Sequence, residues 1–154
     1  MARIEARLAE LGITLPVAAA PAANYVSYVI SGNQLVLSGQ LPARDGKLAC
    51  LGRLGDGVSV EDGYQGARLC GINLIAQMKA ALGDLDRVKR VVRLGGFVNC
   101  APGFTDQPKV VNGASDLMVE VFGDAGRHAR SAVGAPALPL GVAVEVDAIV
   151  EIAG

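Results

Sequence analysis

Val142-Ala-Val-Glu-Val-Asp-Ala-Ile-Val-Glu151 is the stretch on which the fold turns. Val142, Val144, Val146, Ala148 and Val150 alternate with Ala143, Glu145, Asp147, Ile149 and Glu151. Successive side chains of a strand point to opposite faces, so a period of two describes a strand with one apolar face and one largely acidic face. The apolar face must lie on something, and two upstream segments have the pattern to cover it. Ser59-Val-Glu-Asp62 has the form of a capping box, with acidic residues suited to the positive end of a helix. Behind it Ala67, Cys70, Leu74, Met78 and Ala81 recur at steps of three and four, forming one apolar stripe that Gly83 ends. Leu117/Val121 and Met118/Phe122 repeat the spacing in a second helix, which Asn112 can cap and Gly123 and Gly126 stop.

Working outward, β-rich runs at 25–30 and 34–38 flank Ser31-Gly32-Asn33 and read as a hairpin. Residues 88–98 and 132–134 are strand-like. Residues 41–58 hold Pro42 and several glycines without a sustained period, a long loop with one irregular strand near 48–51. Residues 3–11 form a short helix closed by Gly12, followed by an extended connector through Pro16 and Pro21. The order β-β-α-β-α-β-β predicts an α+β domain with two helices packed on one face of a mixed sheet. The helix and connector occupy 1–20 and the domain 21–154.

Fourteen basic and fifteen acidic residues nearly cancel, to a net charge of −1, which gives no general pull toward nucleic acid or an anionic membrane. The uncharged run from Gly12 to Ala43 is not a membrane span, because Pro16, Pro21, Asn24, Asn33 and Gln34 interrupt it with groups lipid cannot satisfy. An apolar fraction of 51% against 19% charged is high for a soluble monomer and points to a covered surface between subunits. Cys50, Cys70 and Cys100 are far apart and form no CxxC pair, as expected of reduced thiols in the cytoplasm. With His128 the sole histidine, no metal site is expected.

There is no GxSxG elbow, Walker loop or zinc-ligand pair. Three residues stand out instead. Arg130, within Arg127-His128-Ala129-Arg130-Ser131, enters a strand, where a guanidinium fork can grip a carboxylate; on spacing alone a surface or interface salt bridge is the simpler reading. Glu145 lies on the acidic side of the last strand, by itself a solvated face. Tyr25, ahead of the hairpin, reads unaided as a half-buried strand aromatic.

Ser38-Gly39-Gln40-Leu41-Pro42, Ala67-Arg68 with Asn73, Phe97-Val98-Asn99, Ala129-Arg130-Ser131, Leu138-Pro139 and Val144-Glu145-Val146 together resemble the signature of the Rid/YjgF (reactive intermediate deaminase, endoribonuclease L-PSP-like) family. The resemblance runs from Pro21 to the C-terminus, and the Arg130-to-Glu145 and Tyr25-to-Ser38 separations match without gaps. It implies a chorismate-mutase-like fold, assembled as a homotrimer with a barrel-like core and clefts at subunit boundaries. It further implies hydrolysis of 2-imino or 2-aminoenoic acids to 2-oxo acids and ammonia, without a cofactor. In that reading Arg130 holds the substrate carboxylate with Ser131 beside it, Glu145 activates water, and Tyr25 lines the cleft. The family often has a cysteine two residues after the arginine; here Ala132 stands there, and the 43–58 loop is longer than in compact members. A non-catalytic trimeric module binding 2-oxo acids is the alternative, and ribonuclease activity ranks last, since it requires a basic track and a general acid–base pair.

Overall fold

The computed structural model describes residues 2–21 and 23–154. In chain order it contains α1 (Arg3–Glu10), β1 (Tyr28–Ser31), β2 (Gln34–Gln40), β3 (Ala43–Arg44), β4 (Lys47–Leu48), β5 (Arg53–Leu54), β6 (Gly57–Val58), α2 (Val60–Leu82), β7 (Val88–Asn99), α3 (Gln107–Phe122), β8 (Ala129–Ala135) and β9 (Val144–Ile152). The long strands form one sheet in the order β1-β2-β9-β7-β8, antiparallel except for the parallel β7–β8 pair. The stretch that announces the fold is therefore its central strand.

Val144, Val146, Ala148, Val150 and Ile152 of β9 are buried on one face, joined by Leu35 and Leu37 of β2 and Val91, Leu94 and Val98 of β7. The stripe of α2 (Ala67, Cys70, Leu74, Met78) and that of α3 (Val110, Ala114, Leu117, Met118, Val121) close over them. The expected two helices on one face of a mixed sheet are present. A third helix, α1, adds Ile4 and Leu8 to the same core; its first backbone N–H groups donate to Asp86 Oδ1 and Oδ2 at 2.8–2.9 Å, which holds that carboxyl below its usual range. No helix among the described residues is long and apolar enough to cross a membrane.

Ser59 caps α2 as expected, its Oγ accepting from the Asp62 N–H at 3.1 Å, and Gly83 closes the helix with φ +74°. Other expectations need correction. The second helix begins at Gln107, with Asp106 at the cap position, so Asn112 is a residue of its second turn and not its cap. Pro108 explains the early start, since its preset φ and missing N–H suit a first helical turn. The first strand begins at Tyr28, leaving Tyr25 in the bends before it, 53% exposed. The 41–58 segment forms two small ladders, β3–β4 antiparallel and β5–β6 parallel, pinned to α2 by Asn73 Nδ2 donating to the Leu41 and Ala43 carbonyls at 2.9 and 3.1 Å.

No layer covers the opposite sheet face among the described residues. Val29, Val36, Phe97 and Val133 lie there, exposed, beside Glu145, Asp147 and Ile149.

Candidate functional site

Arg130 sits on β8, opposite Leu94 of β7. In a parallel ladder paired residues share a face, and Leu94 is fully buried, so Arg130 projects to the helix side of the sheet. β8 is an edge strand there, and α3 reaches it with two side chains. Arg130 Nη1 donates to Asn112 Oδ1 at 2.8 Å and to Ser115 Oγ at 3.1 Å. Asn112 and Ser115, three apart on α3, are neighbours on one helix face. Ser115 Oγ also lies 2.9 Å from His128 Nε2, and His128 Nδ1 is 2.6 Å from the Gly126 carbonyl. A carbonyl only accepts, so the neutral imidazole carries its proton on Nδ1 and Nε2 accepts from the Ser115 hydroxyl. Burial, then the nearby Arg130 charge, push His128 below its ordinary value, against the Gly126 hydrogen bond. Arg130 has no acidic partner among the described residues, and neither its Nη2 nor its Nε has a protein acceptor there. The guanidinium is held by one edge, by neutral oxygens, with its other edge free.

Glu145 lies on the bare face, opposite Phe97. Along β2 the register slips so that Ser38 and Gly39 together face Asp147, a bulge that brings the strand against Glu145. A Cβ on Gly39 would strike the Glu145 carboxylate, which would have to swing aside, so glycine lets it rest against the bulge. The carboxylate has no hydrogen-bond or ion-pair partner among the described side chains; burial first, and Asp147 second, push its pKa up. Asp147 is also raised by burial, against the pull of Arg93 and the Gly95 N–H. Arg93 links this face to β8: its Nη2 donates to Ser131 Oγ at 3.0 Å, and its Nη1 stands 4.0 Å from Asp147 Oδ1. Behind the bulge, a cleft of about 230 Å³ is bounded by Tyr25, Ser38–Gln40, the connector from Pro16 to Pro21, and the β3–β4 turn.

The four residues singled out from the sequence therefore fall into groups. Glu145 and Tyr25 flank the same bulge, and Ser131 shares the bare face with Glu145 through Arg93 and Asp147. Arg130 is on the opposite side of the sheet, two strands and three ladder positions from Glu145, which at ordinary strand spacings puts the two roughly 14 Å apart. One small molecule does not reach both within a single chain. Cys50 and Cys70 are buried, and Cys100 is half-buried near Gln107 Nε2.

A family model described as "YjgF/chorismate mutase-like, putative endoribonuclease" matches residues 5–152. The chain belongs to this family. It is 59% identical over 151 residues to Protein TCP17 of Trypanosoma cruzi, covering 97% of this chain and 94% of the relative. Among solved structures it is similar to the protein Atu1372 of Agrobacterium tumefaciens, with 54% identity, coverage of 97% and 92% and a TM-score of 0.91. RidA of Psychrobacter is more distant, with 26% identity, coverage of 88% and 94% and a TM-score of 0.63.

Within this YjgF-type domain the sequence reading passed over Asn112, Ser115, His128, Arg93 and Asp147. From the sequence Asn112 reads as a helix cap, and His128, as the sole histidine, bears on metal binding and on ribonuclease chemistry. A signal was available for Asn112 and Ser115, which are three apart and so share a helix face, whereas His128 precedes β8 and strand periodicity does not reach it. That signal becomes readable once the helix is started at Gln107 with Pro108 in its first turn, which places Asn112 inside it.

Proposed function

We propose that the protein hydrolyses 2-imino or 2-aminoenoic acids to 2-oxo acids and ammonia, with no cofactor, in clefts completed between subunits of a homotrimer. The observation that carries this is the Arg130 guanidinium: held rigid by Asn112 and Ser115, without an acid of its own, and with one edge free for two parallel hydrogen bonds to a carboxylate. Glu145, unpaired and a stronger base than an ordinary carboxylate, activates the water. Because the two lie on opposite faces, the reading requires Arg130 of one subunit to meet Glu145 of the next, with Tyr25 and Ser131 lining the same boundary. The bare, partly apolar sheet face supports such an assembly. The imine carbon is already electrophilic, so holding the carboxylate, placing one water and moving protons suffices.

The separation of Arg130 from Glu145 also favours the second reading, a trimeric module that binds 2-oxo acids without turnover. Ribonuclease activity, which the family's name carries, ranks below both, given the net charge of −1 and a single histidine.

The test is ammonia release from freshly generated 2-aminoacrylate beside calorimetric binding of pyruvate. Arg130→Ala is expected to lose both. Arg130→Lys follows closely, because lysine keeps the charge without the fork, with a loss of about 30- to 1000-fold in turnover. Glu145→Gln keeps pyruvate binding and loses turnover. Binding without turnover in the parent selects the module; an Arg130→Ala variant that behaves like the parent makes the arginine a structural residue and ends the proposal.

A further inference from the structure

We propose that the cleft between the connector and the β3–β4 turn is a binding site for a compact organic ammonium ion, apart from the carboxylate that Arg130 holds.

The cleft has an apolar wall and a polar wall. Pro16, Val17 and Pro21 of the connector, with Leu41 and Leu48 of the 41–58 segment, supply the first. Both sides are tied down. Gln77 Nε2 and Ser27 Oγ donate to the Ala19 carbonyl at 2.8 and 3.3 Å, and Asn73 holds the opposite lip through the Leu41 and Ala43 carbonyls. At about 30 Å³ per water in the liquid, the 230 Å³ cleft has room for roughly seven waters, or for a ligand of about six heavy atoms.

What that ligand must carry follows from the donors already spent. Asn73 Nδ2 gives both of its hydrogens to Leu41 and Ala43. That also fixes the amide's orientation, since the reverse would set its oxygen against two carbonyl oxygens. Ser27 Oγ donates to Ala19, Ser38 Oγ to the Val26 carbonyl at 2.7 Å, and Gln40 Nε2 to the Ser38 carbonyl at 3.2 Å. These side chains are left mainly with acceptors: Asn73 Oδ1, Gln40 Oε1, the two serine oxygens and the Asp45 carboxylate. Against them stand one Gln40 hydrogen and the Tyr25 hydroxyl.

The charge points the same way. Asp45 lines the cleft without an ion-pair partner, and no Lys, Arg or His lines it among the described residues. Arg44 and Lys47 flank Asp45 on the hairpin but stand outside the lining, and Lys79, beyond the connector, pairs with Glu5 at 2.6 Å. Glu145 rests against Gly39, itself a cleft residue. A carboxylate placed here meets lone pairs and negative charge. An ammonium meets acceptors for its three hydrogens, in charge-assisted bonds. Nor does the turn itself require the charge. Asp45 and Gly46 have φ of +53° and +77°, a pair of left-handed residues for which Asn-Gly serves as well as Asp-Gly. The charge is therefore available to a ligand, and Asp45→Asn removes it while suiting the same turn.

The full-length protein, with its leucine methyls labelled, is titrated at pH 7 with three probes of similar size: 3-methylbutylammonium, 3-methylbutan-1-ol and 3-methylbutanoate. The amine is almost wholly protonated there, as a lysine side chain is. The ammonium is expected to shift the Leu41 and Leu48 methyl signals and to bind about tenfold or more tighter than the alcohol, while the carboxylate leaves those signals unmoved. Asp45→Asn is expected to weaken the ammonium about tenfold and to leave the alcohol within about threefold. Pyruvate is not expected to displace the ammonium, so a failure of pyruvate to bind bears on Arg130 alone. No binding of the ammonium, three probes binding alike, Leu41 and Leu48 methyls that stay still, parental affinity in Asp45→Asn, or displacement by pyruvate overturns the proposal. Should Asp45→Asn not fold, the ranking of the three probes on the parent decides.

Discussion

Glu145 carries a partly buried carboxylate with no partner among the described side chains, and that has a consequence for stability. Its pKa is raised by burial and by Asp147, so the native state binds its proton more tightly than the unfolded chain does. The sign follows: its contribution to stability is greatest at low pH and declines as pH rises from the ordinary carboxylate range through the raised native value. Glu145→Gln should therefore melt at or above the parent's temperature at pH 7, with the difference vanishing toward pH 4, while turnover is lost. Thermal scans across that range check it. A lower melting temperature at pH 7 would make Glu145 an ion-pair partner in the assembled protein, not a base. Arg130 and Glu145 were both picked out by the family resemblance, and the alternation of the last strand put Glu145 on the face away from the helices, but the face of Arg130 was not legible. Strand parity orders side chains within one strand; it says nothing across the irregular 136–143 connection, whose length and turns decide which side of the sheet β9 presents relative to β8.

At the level of elements, the legible features were those with their own period or chemistry: the β9 alternation, the α2 stripe, and the Ser59 and Gly83 caps. The start of α3 was not, because residues 101–106 look like loop and Pro108 reads equally as a breaker or as a first-turn residue. Its true start matters, since it aims Asn112 and Ser115 at Arg130. The aim also depends on how close α3 lies to α2. Gly113 packs against the Tyr64 carbonyl and the Arg68 N–H of α2, and a Cβ there would collide with backbone, which cannot swing away. Gly71, from the other side, faces Leu117 and Ala114. Although alanine is the better helix former, Gly113→Ala should destabilise by about 1–3 kcal/mol or more by forcing the helices apart, against a propensity gain of about 1 kcal/mol. The expected readout is a lower urea midpoint at unchanged m-value. A midpoint equal to the parent's would mean that the helix pair is not tightly packed.

At the scale of the molecule, one sheet face has no second layer among the described residues, and an apolar sheet face is buried by packing against another layer. Val29, Val36 and Phe97 stand on that face with Ile149, Glu145 and Asp147 among them, a mixture suited neither to solvent alone nor to a dry core. The apolar excess in the composition made the need for a cover legible; which residues face it required the register. Repeating one heterologous contact around an axis closes a ring, and a closed trimer is the expected species in solution. Val36 tests this best, because it lies on β2 near the Ile149 end of the sheet, away from Arg130 and outside the polar cluster of Glu145, Asp147 and Arg93. Val36→Asp puts a charge where apolar burial is expected and touches no residue assigned to the reaction. Sedimentation should show the parent as a trimer and Val36→Asp as a folded monomer. If Arg130 and Glu145 meet only across a boundary, that monomer loses deaminase turnover while pyruvate still finds the guanidinium. A monomeric variant with parental turnover would instead place the whole reaction within one chain and end the requirement that Arg130 and Glu145 meet across a boundary.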